Sequence, residues 1–365
     1  MDLRIVNQNT FDTIGMLSSY ISCIWKVSFS DFGDFELVVP FSDENYNLLR
    51  EGRIIYRAED TYDDNGTSKV KNSMFIENVE TTYNPDMGWI MTVRGRDVKS
   101  LLCRRIVWDL RNFEDELFGA IIYYLVDENF TNPEISNRTI SGITVPPIII
   151  GGPELTVQLH GENIGEWIVE QAKANKFGWR MDISGIDEGN GPSYHISFPE
   201  GEDRTNSIVF SPEYGNLLSA TFTTSLETFK NVALVGGEGS GSAQIQTAVS
   251  VGNKVGLNRY EIWVQGQSRS TDSGQIPLAT YKKMLQQFGM SELIKYTDTM
   301  TFDCELDVEG VFKINEDYFL GDRVSVSLSP SLTGVAVLSD ILYSHDATGI
   351  VTRGTFIDWE VSNGD

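Results

Sequence analysis

Apolar and polar residues alternate with a period of two over most of the first hundred positions, the pattern of half-buried strands. Trp25-Lys-Val-Ser-Phe-Ser30 and Phe35-Glu-Leu-Val-Val-Pro40 stand on either side of Asp31-Phe-Gly-Asp34, which has hairpin-turn chemistry. Residues 54–59 and 73–80 flank the polar tip Asp63-Asp-Asn-Gly-Thr-Ser68, and a strand over 89–95 follows the turn Asn84-Pro-Asp-Met-Gly88. Short strands joined by tight turns predict a barrel or a sandwich. Asp97-Val-Lys-Ser-Leu-Leu102 predicts a short helix, capped by Asp97 or the residue before it.

The period then changes. Leu117, Ile121, Ile122, Leu125 and Val126 recur at helical spacing within residues 113–129, with Glu114, Asp115 and Glu116 in the first turn. Ile164, Trp167, Ile168, Gln171 and Ala172 do the same within 161–176, and a strand pair is expected near 179–183 and 193–198. Both helices are amphipathic and are expected to pack on a sheet. Alternation returns over 218–224, 231–236, 243–251, 260–264, 299–306, 323–328, 336–343 and 350–359, with one helix at 278–288. Polar stretches near 204–215 and 268–274 read as loops. The expected class is β-rich α+β: a first β-barrel domain over 1–105, an inserted α+β domain over 106–215, and a second β-barrel domain with one helix over 216–365. These borders are approximate, and either barrel is free to be discontinuous.

Size agrees with several domains, because 365 residues exceed one small core. No run approaches the roughly 18 apolar residues of a membrane span, and Val145-Pro-Pro-Ile-Ile-Ile150 is short and extended by its prolines. The first residues lack the basic head and apolar run of a signal peptide, so a soluble protein made in a cytoplasm is expected.

Charge narrows the picture further. The formal net charge is −24, the reverse of the basic patch that supplies most nucleic-acid affinity. Arg104-Arg105 and Lys282-Lys283 are the only adjacent basic pairs. Two readings follow: a well-solvated surface, or an acidic surface that lies near DNA without adhering to it.

Candidate chemistry is sparse. Cys23, Cys103 and Cys304 lack metal-site or disulfide spacing and read as buried free thiols; His160, His195 and His345 are as scattered and read as strand residues. Asp60, Asp63 and Asp64 lack the later glutamate of a calcium loop and read as a solvated tip. Glu166 and Glu170 lie one helical turn apart and suit a solvated face. No nucleophile elbow, HExxH motif or cysteine–histidine arrangement is present. No catalytic, cofactor-binding or metal-binding residue is therefore assigned, and no cofactor is expected. Trp89, Trp108, Trp167, Trp179, Trp263 and Trp359 are of the type that stacks on sugars, but their apolar-periodic surroundings point to core packing.

One segment stands out. Asn231-Val-Ala-Leu-Val-Gly-Gly-Glu-Gly-Ser-Gly-Ser242 runs a strand into a glycine cluster, where a phosphate loop would need a following lysine, hydroxyl and helix. Gly241 is followed instead by Ser242, Ala243 and Gln244, and alternation resumes at Ile245, Thr247, Val249 and Val251. That predicts a β-hairpin.

This strand, the later Gly256-Leu-Asn-Arg-Tyr-Glu261 and the Phe35–Pro40 and Gly95–Leu102 segments resemble the tail-hub family of long-tailed bacteriophages, over about residues 35–354. The family comprises the tail-associated or baseplate hub proteins that close the distal end of the tail tube. The resemblance implies two tube-type barrels per subunit with α+β domains outside them. It also implies a homotrimeric ring whose six barrels match the sixfold tube above a threefold spike or fibre. Implied partners are the tail tube, tape-measure and distal tail proteins and a spike, fibre or receptor-binding protein, at the virion tail tip. DNA would pass the channel without specific binding, aided by an acidic lumen. Some members continue into a peptidoglycan hydrolase or receptor-binding extension. This sequence stops at Ser362-Asn-Gly-Asp365, so separate proteins are expected to supply those parts. The alternatives are a β-rich carbohydrate- or surface-binding module and an enzyme of unrecognised type.

Overall fold

The computed structural model describes residues 1–86, 88–145, 152–271, 274–297, 300–307, 310–329 and 332–361. The N-terminal region contains β1 (Leu3–Asn7), β2 (Thr13–Leu17), β3 (Ser22–Ser28), β4 (Asp34–Pro40), α1 (Asp43–Leu48), β5 (Arg53–Arg57), β6 (Thr61–Asp64), β7 (Thr67–Val70), β8 (Met74–Phe75), β9 (Asn78–Asn84) and β10 (Gly88–Arg96). The middle holds β11 (Arg111–Leu117), α2 (Phe118–Val126), β12 (Ile143–Thr144), β13 (Glu154–Leu159), α3 (Ile164–Ala174), β14 (Arg180–Ser184) and β15 (Ser193–Ser197). The C-terminal region begins with β16 (Val209–Phe210), β17 (Leu217–Thr224), β18 (Val232–Gly236), β19 (Gln246–Ser250) and β20 (Glu261–Gln265). It continues with β21 (Ser270–Thr271), β22 (Gly274–Gln275), α4 (Leu278–Ile294), β23 (Met300–Leu306), β24 (Arg323–Ser329), β25 (Leu332–Asp346) and β26 (Gly349–Val361).

Strands from both ends of the chain form one ten-stranded sheet in the order β17-β23-β26-β25-β3-β4-β10-β9, with β24 beside β25 and β16 beside β24. β25 joins the two ends. Its first half pairs β24 and its second half, from Asp340, pairs β3. Register shifts against β26 fall at Val335/Val337 and Leu338/Asp340, where the partner changes. Such bulges bend a strand and let it serve two neighbours. Trp25, Leu37 and Val93 from the N-terminal strands share one core with Phe302, Val324, Leu338 and Phe356. Each such buried side chain contributes about 1.5–3 kcal/mol. Alternation marks the face a strand buries but not its neighbour, which is why the sequence separates what the fold joins.

A second core lies under α2 and α3 and includes Val6, Ile54 and Phe75 from the N-terminal region. The β6–β7 hairpin turns at Asn65 and Gly66, both at positive φ as a two-residue type I′ turn requires, and β7 pairs β14 of the middle region. A third, smaller core is built by β18, β19, β20 and α4.

The β-rich α+β class holds, and among the described residues no sheet closes on itself. Several local expectations change. Residues 113–117 are strand, not helix: β11 pairs β13 from Phe113↔Val157 to Leu117↔Glu154, and the helix starts at Phe118. β13 supplies backbone partners that the acidic run alone does not reveal. Residues 98–104 form a 3₁₀ helix, and Asp97 turns its carboxylate to the Gly33 N–H at 2.7 Å instead of capping. α4 runs to Ile294, six residues past the expected end. From its second residue the Val145–Ile150 segment lies outside the described residues, as do the last four residues. No described helix is long and apolar enough to cross a membrane.

Candidate functional site

The glycine-rich segment is a packing device. Val232–Gly236 pairs antiparallel with β19 and parallel with β20, so the hairpin expected there is present. Asn231 holds the surrounding loops: its Nδ2 donates to the Asn253 and Asn258 carbonyls and its Oδ1 accepts from the Tyr260 N–H. A Cβ on Gly236 would fall 2.3 Å from the Trp263 ring, and one on Gly237 would fall 2.4 Å from the Tyr281 hydroxyl. That buried hydroxyl accepts from the Glu238 N–H at 2.7 Å and donates to the Gln267 carbonyl at 2.5 Å, tying α4 to the sheet. Gly237→Ala is expected to destabilise this unit by about 1–3 kcal/mol through overpacking. Gly236→Ala should cost less, because Trp263 is half exposed and can swing away. Hydrogen exchange confined to β18 and α4 checks the contrast; equal effects would refute it.

The scattered titratable residues stay scattered. Cys23 and Cys304 are buried and Cys103 is half-buried; all three are free thiols, and burial pushes them up to about 12, 12 and 11. Asp60 is buried against Arg57, Asp63 accepts from the Gly66 N–H, and Asp64 pairs with Lys69. The solvated tip therefore holds only Asp63 and Asp64; Asp60 belongs to the core. Glu166 and Glu170 do not act together, since Glu170 pairs with Lys295, the residue just past α4. His345 meets the Tyr20 hydroxyl. His195 Nε2 lies 2.8 Å from Ser184 Oγ, and burial lowers its pKa. Asp182, opposite His195 in the ladder, is taken by the Tyr62 hydroxyl and Arg180. Ser184 is 5% exposed, so this serine–histidine pair lacks both an orienting carboxylate and an approach for substrate. Among the described residues no three metal-ligating side chains gather.

A cleft of about 560 Å³ between α3, α4 and the large sheet collects four lysines, each against a carboxylate. The pairs are Lys26–Asp340, Lys173–Asp31, Lys176–Asp358 and Lys295–Glu170. They leave it no net charge with which to select a ligand.

What the tertiary structure does expose are the two ends of the main strand path of the large sheet. β17, Leu-Leu-Ser-Ala-Thr-Phe-Thr-Thr, is an open edge without a single charge, in a chain that is 22% charged. Leu218 is 61% exposed and, with Ala220, Phe222, Leu328 and Leu332, lines an apolar groove along that edge. Edges normally carry lysine, proline or a cover against pairing; this one has an apolar rim. The opposite edge, β9, ends in an aromatic strip. Tyr83 and Trp89 lie 5.4 Å apart, and Phe41, bonded through its N–H to the Trp89 carbonyl, lies 5.9 Å from Tyr46. All four rings are exposed. Of the tryptophans considered for sugar stacking, Trp167, Trp179 and Trp359 are buried, whereas Trp89, Trp108 and Trp263 are exposed. Period-two patterning had no means of separating these groups, because it does not say which face another layer covers.

The large, mainly antiparallel sheet and the α+β middle region together form a fold that is also found in tail proteins. It matches the 43 kDa tail protein of prophage MuSo2 from Shewanella oneidensis with a TM-score of 0.52 at 12% identity, covering 98% of this chain and 97% of that one. The tail protein from Neisseria meningitidis MC58 matches with a TM-score of 0.54 at 10% identity, covering 98% and 96%. No curated protein matches the sequence. The chain belongs to the Siphovirus ReqiPepy6 Gp37-like protein family, whose sequence model matches residues 2–356.

Proposed function

We propose that this tail protein is a hub subunit: three copies close into a ring at the distal end of the tail tube. The observation that carries this reading is the uncharged open edge β17 at one end of the main strand path of the large sheet, with the open edge β9 and its aromatic strip at the other. Two different edges meeting head to tail form a heterologous contact, which closes into a ring when the rotation is a whole fraction of a turn. In this proposal the regions 1–105 and 216–365 contribute two tube-type modules per subunit, with 106–215 outside them, so three subunits adapt a sixfold tube to a threefold spike or fibre. Tail tube, tape-measure, distal tail and spike, fibre or receptor-binding proteins are the proposed neighbours, at the virion tail tip. The role is structural, without cofactor or catalysis. DNA passes through, and the net charge of −24 supports a lumen that does not grip it.

The exposed Tyr83–Trp89 pair favours one second reading, a glycan- or surface-binding module. Light scattering across a range of concentration separates the two. A particle of three times the 40.9 kDa chain mass is expected. A monomer at every concentration that binds glycan saturably would give the protein to the second reading.

A further inference from the structure

The middle region carries an open groove of about 660 Å³ lined by Arg104, Arg105, Arg138, Ile106, Trp108 and Ile135, and no carboxylate lines it. Eight guanidinium groups elsewhere sit against acids: Arg57, Arg94, Arg96, Arg111, Arg180, Arg204, Arg259 and Arg323 pair with carboxylates. Arg50 and Arg53, like the groove residues, donate to neutral oxygens. Among the described residues the three groove arginines have no carboxylate partner. Arg105 and Arg138 are fixed instead by neutral acceptors. Arg105 donates Nε and Nη2 to the Arg138 carbonyl at 3.1 and 2.9 Å. Arg138 donates Nη2 to the Ile106 carbonyl at 2.9 Å and to Asn129 Oδ1 at 3.0 Å. Asn129 is 3% exposed and is itself held by its Nδ2 bond to the Leu125 carbonyl, on a π-helical turn over Asp127–Thr131. Single π turns of this kind occur often at functional sites.

The arrangement orients positive charge without neutralising it. Burial, and then the neighbouring Arg138, hold the Arg105 pKa below its ordinary value. Like charges gathered at a cost to the fold, in a strongly acidic chain, mark a place where local rules yield to function. The Arg138 guanidinium lies over the Trp108 ring at 4.9 Å, and Trp108, Ile106 and Ile135 are 51%, 41% and 40% exposed. A rigid cationic fork beside an exposed aromatic and two aliphatic side chains fits carboxylates and apolar groups on one ligand.

We propose that this groove docks an acidic polypeptide segment of a partner protein, with its carboxylates on Arg104 and Arg138 and its apolar side chains on Trp108, Ile106 and Ile135. Nucleic acid fits less well. Its affinity grows with the number of phosphates neutralised, and three arginines on a chain of net charge −24 offer few.

The test is fluorescence anisotropy of a short fluorescein-labelled peptide of glutamate, leucine and tryptophan, titrated with the full chain. Saturable binding that weakens with salt is expected. Arg104→Glu should reduce affinity by at least about tenfold through loss of a charge-assisted contact and added repulsion. Trp108→Ala should reduce it while leaving the salt dependence unchanged. Arg104 is exposed and, among the described residues, its side chain reaches only Gln8 by hydrogen bond, at 3.5 Å, so this variant is expected to fold; circular dichroism and the melting midpoint verify that. Absence of saturable binding, or equal binding by both folded variants, overturns the proposal. Tighter binding of a single-stranded oligonucleotide reassigns the groove to nucleic acid. Self-association lost in Arg104→Glu, without peptide binding, reassigns it to a second copy of this chain.

Discussion

Asp60→Ala is expected to lower the unfolding free energy by about 3–5 kcal/mol, the cost of breaking a buried ion pair, since the exposed Glu59 carboxylate, 3.8 Å from Arg57, is a poor substitute. Asp60 is 2% exposed and accepts two bonds from Arg57, at 2.7 Å from Nε and 2.8 Å from Nη2. Burial works against the charge on Arg57, but the adjacent carboxylate outweighs it and holds the guanidinium pKa above its ordinary value. The same guanidinium lies 4.1 Å from the centroid of Tyr343 on β25, so the pair links the N-terminal strands to the C-terminal hairpin. Removing the carboxylate therefore loosens the seam between the two ends of the chain. Urea unfolding of the single variant measures the loss. The double replacement Arg57→Met with Asp60→Leu removes both charges, and buried pairs replaced by apolar groups are often neutral in stability. It should recover most of the loss; a double variant as unstable as the single one would show that packing, not charge, governs the site.

Lysine at both Leu218 and Ala220 is expected to abolish the ring while leaving a folded monomer. Both positions are exposed on the open β17 edge, where substitutions usually change stability by about 0.5 kcal/mol or less. In a strand-to-strand contact the two ammonium groups would be buried without partners. That costs roughly 4 kcal/mol or more per interface, about a thousandfold in association constant. Light scattering on wild type and variant reads the change directly. A trimer that survives both lysines would place the interface elsewhere and remove the observation on which the hub reading rests.

How much of this was open to sequence reasoning varies by element. The hairpin after Asn231 was legible, because a strand entering glycine without a following lysine or helix has few other outcomes. α3 was legible because Ile164, Trp167, Ile168 and Gln171 keep one buried face through every turn. β11 was not, because its pairing with β13 depends on a segment some forty residues away. Asp60 read as a loop-tip acid, yet its position against Arg57 follows from how a 3₁₀ turn closes after β5. Arg104 and Arg105 were visible as an adjacent pair, but Arg138 joins them only through the π turn that places Asn129.

By itself the sequence determined the β-rich α+β class, the places where hairpins turn and most of the strands and helices, since these depend on side-chain periodicity and on residues a few positions apart. Only the tertiary structure decided that the two ends of the chain share one sheet and that the ends of its main strand path stay open. It likewise decided which tryptophans are covered and which arginines gather without acids. The reason is physical: periodicity records which side of an element is apolar, whereas neighbours, edges and uncompensated charge arise from contacts between segments far apart in the chain.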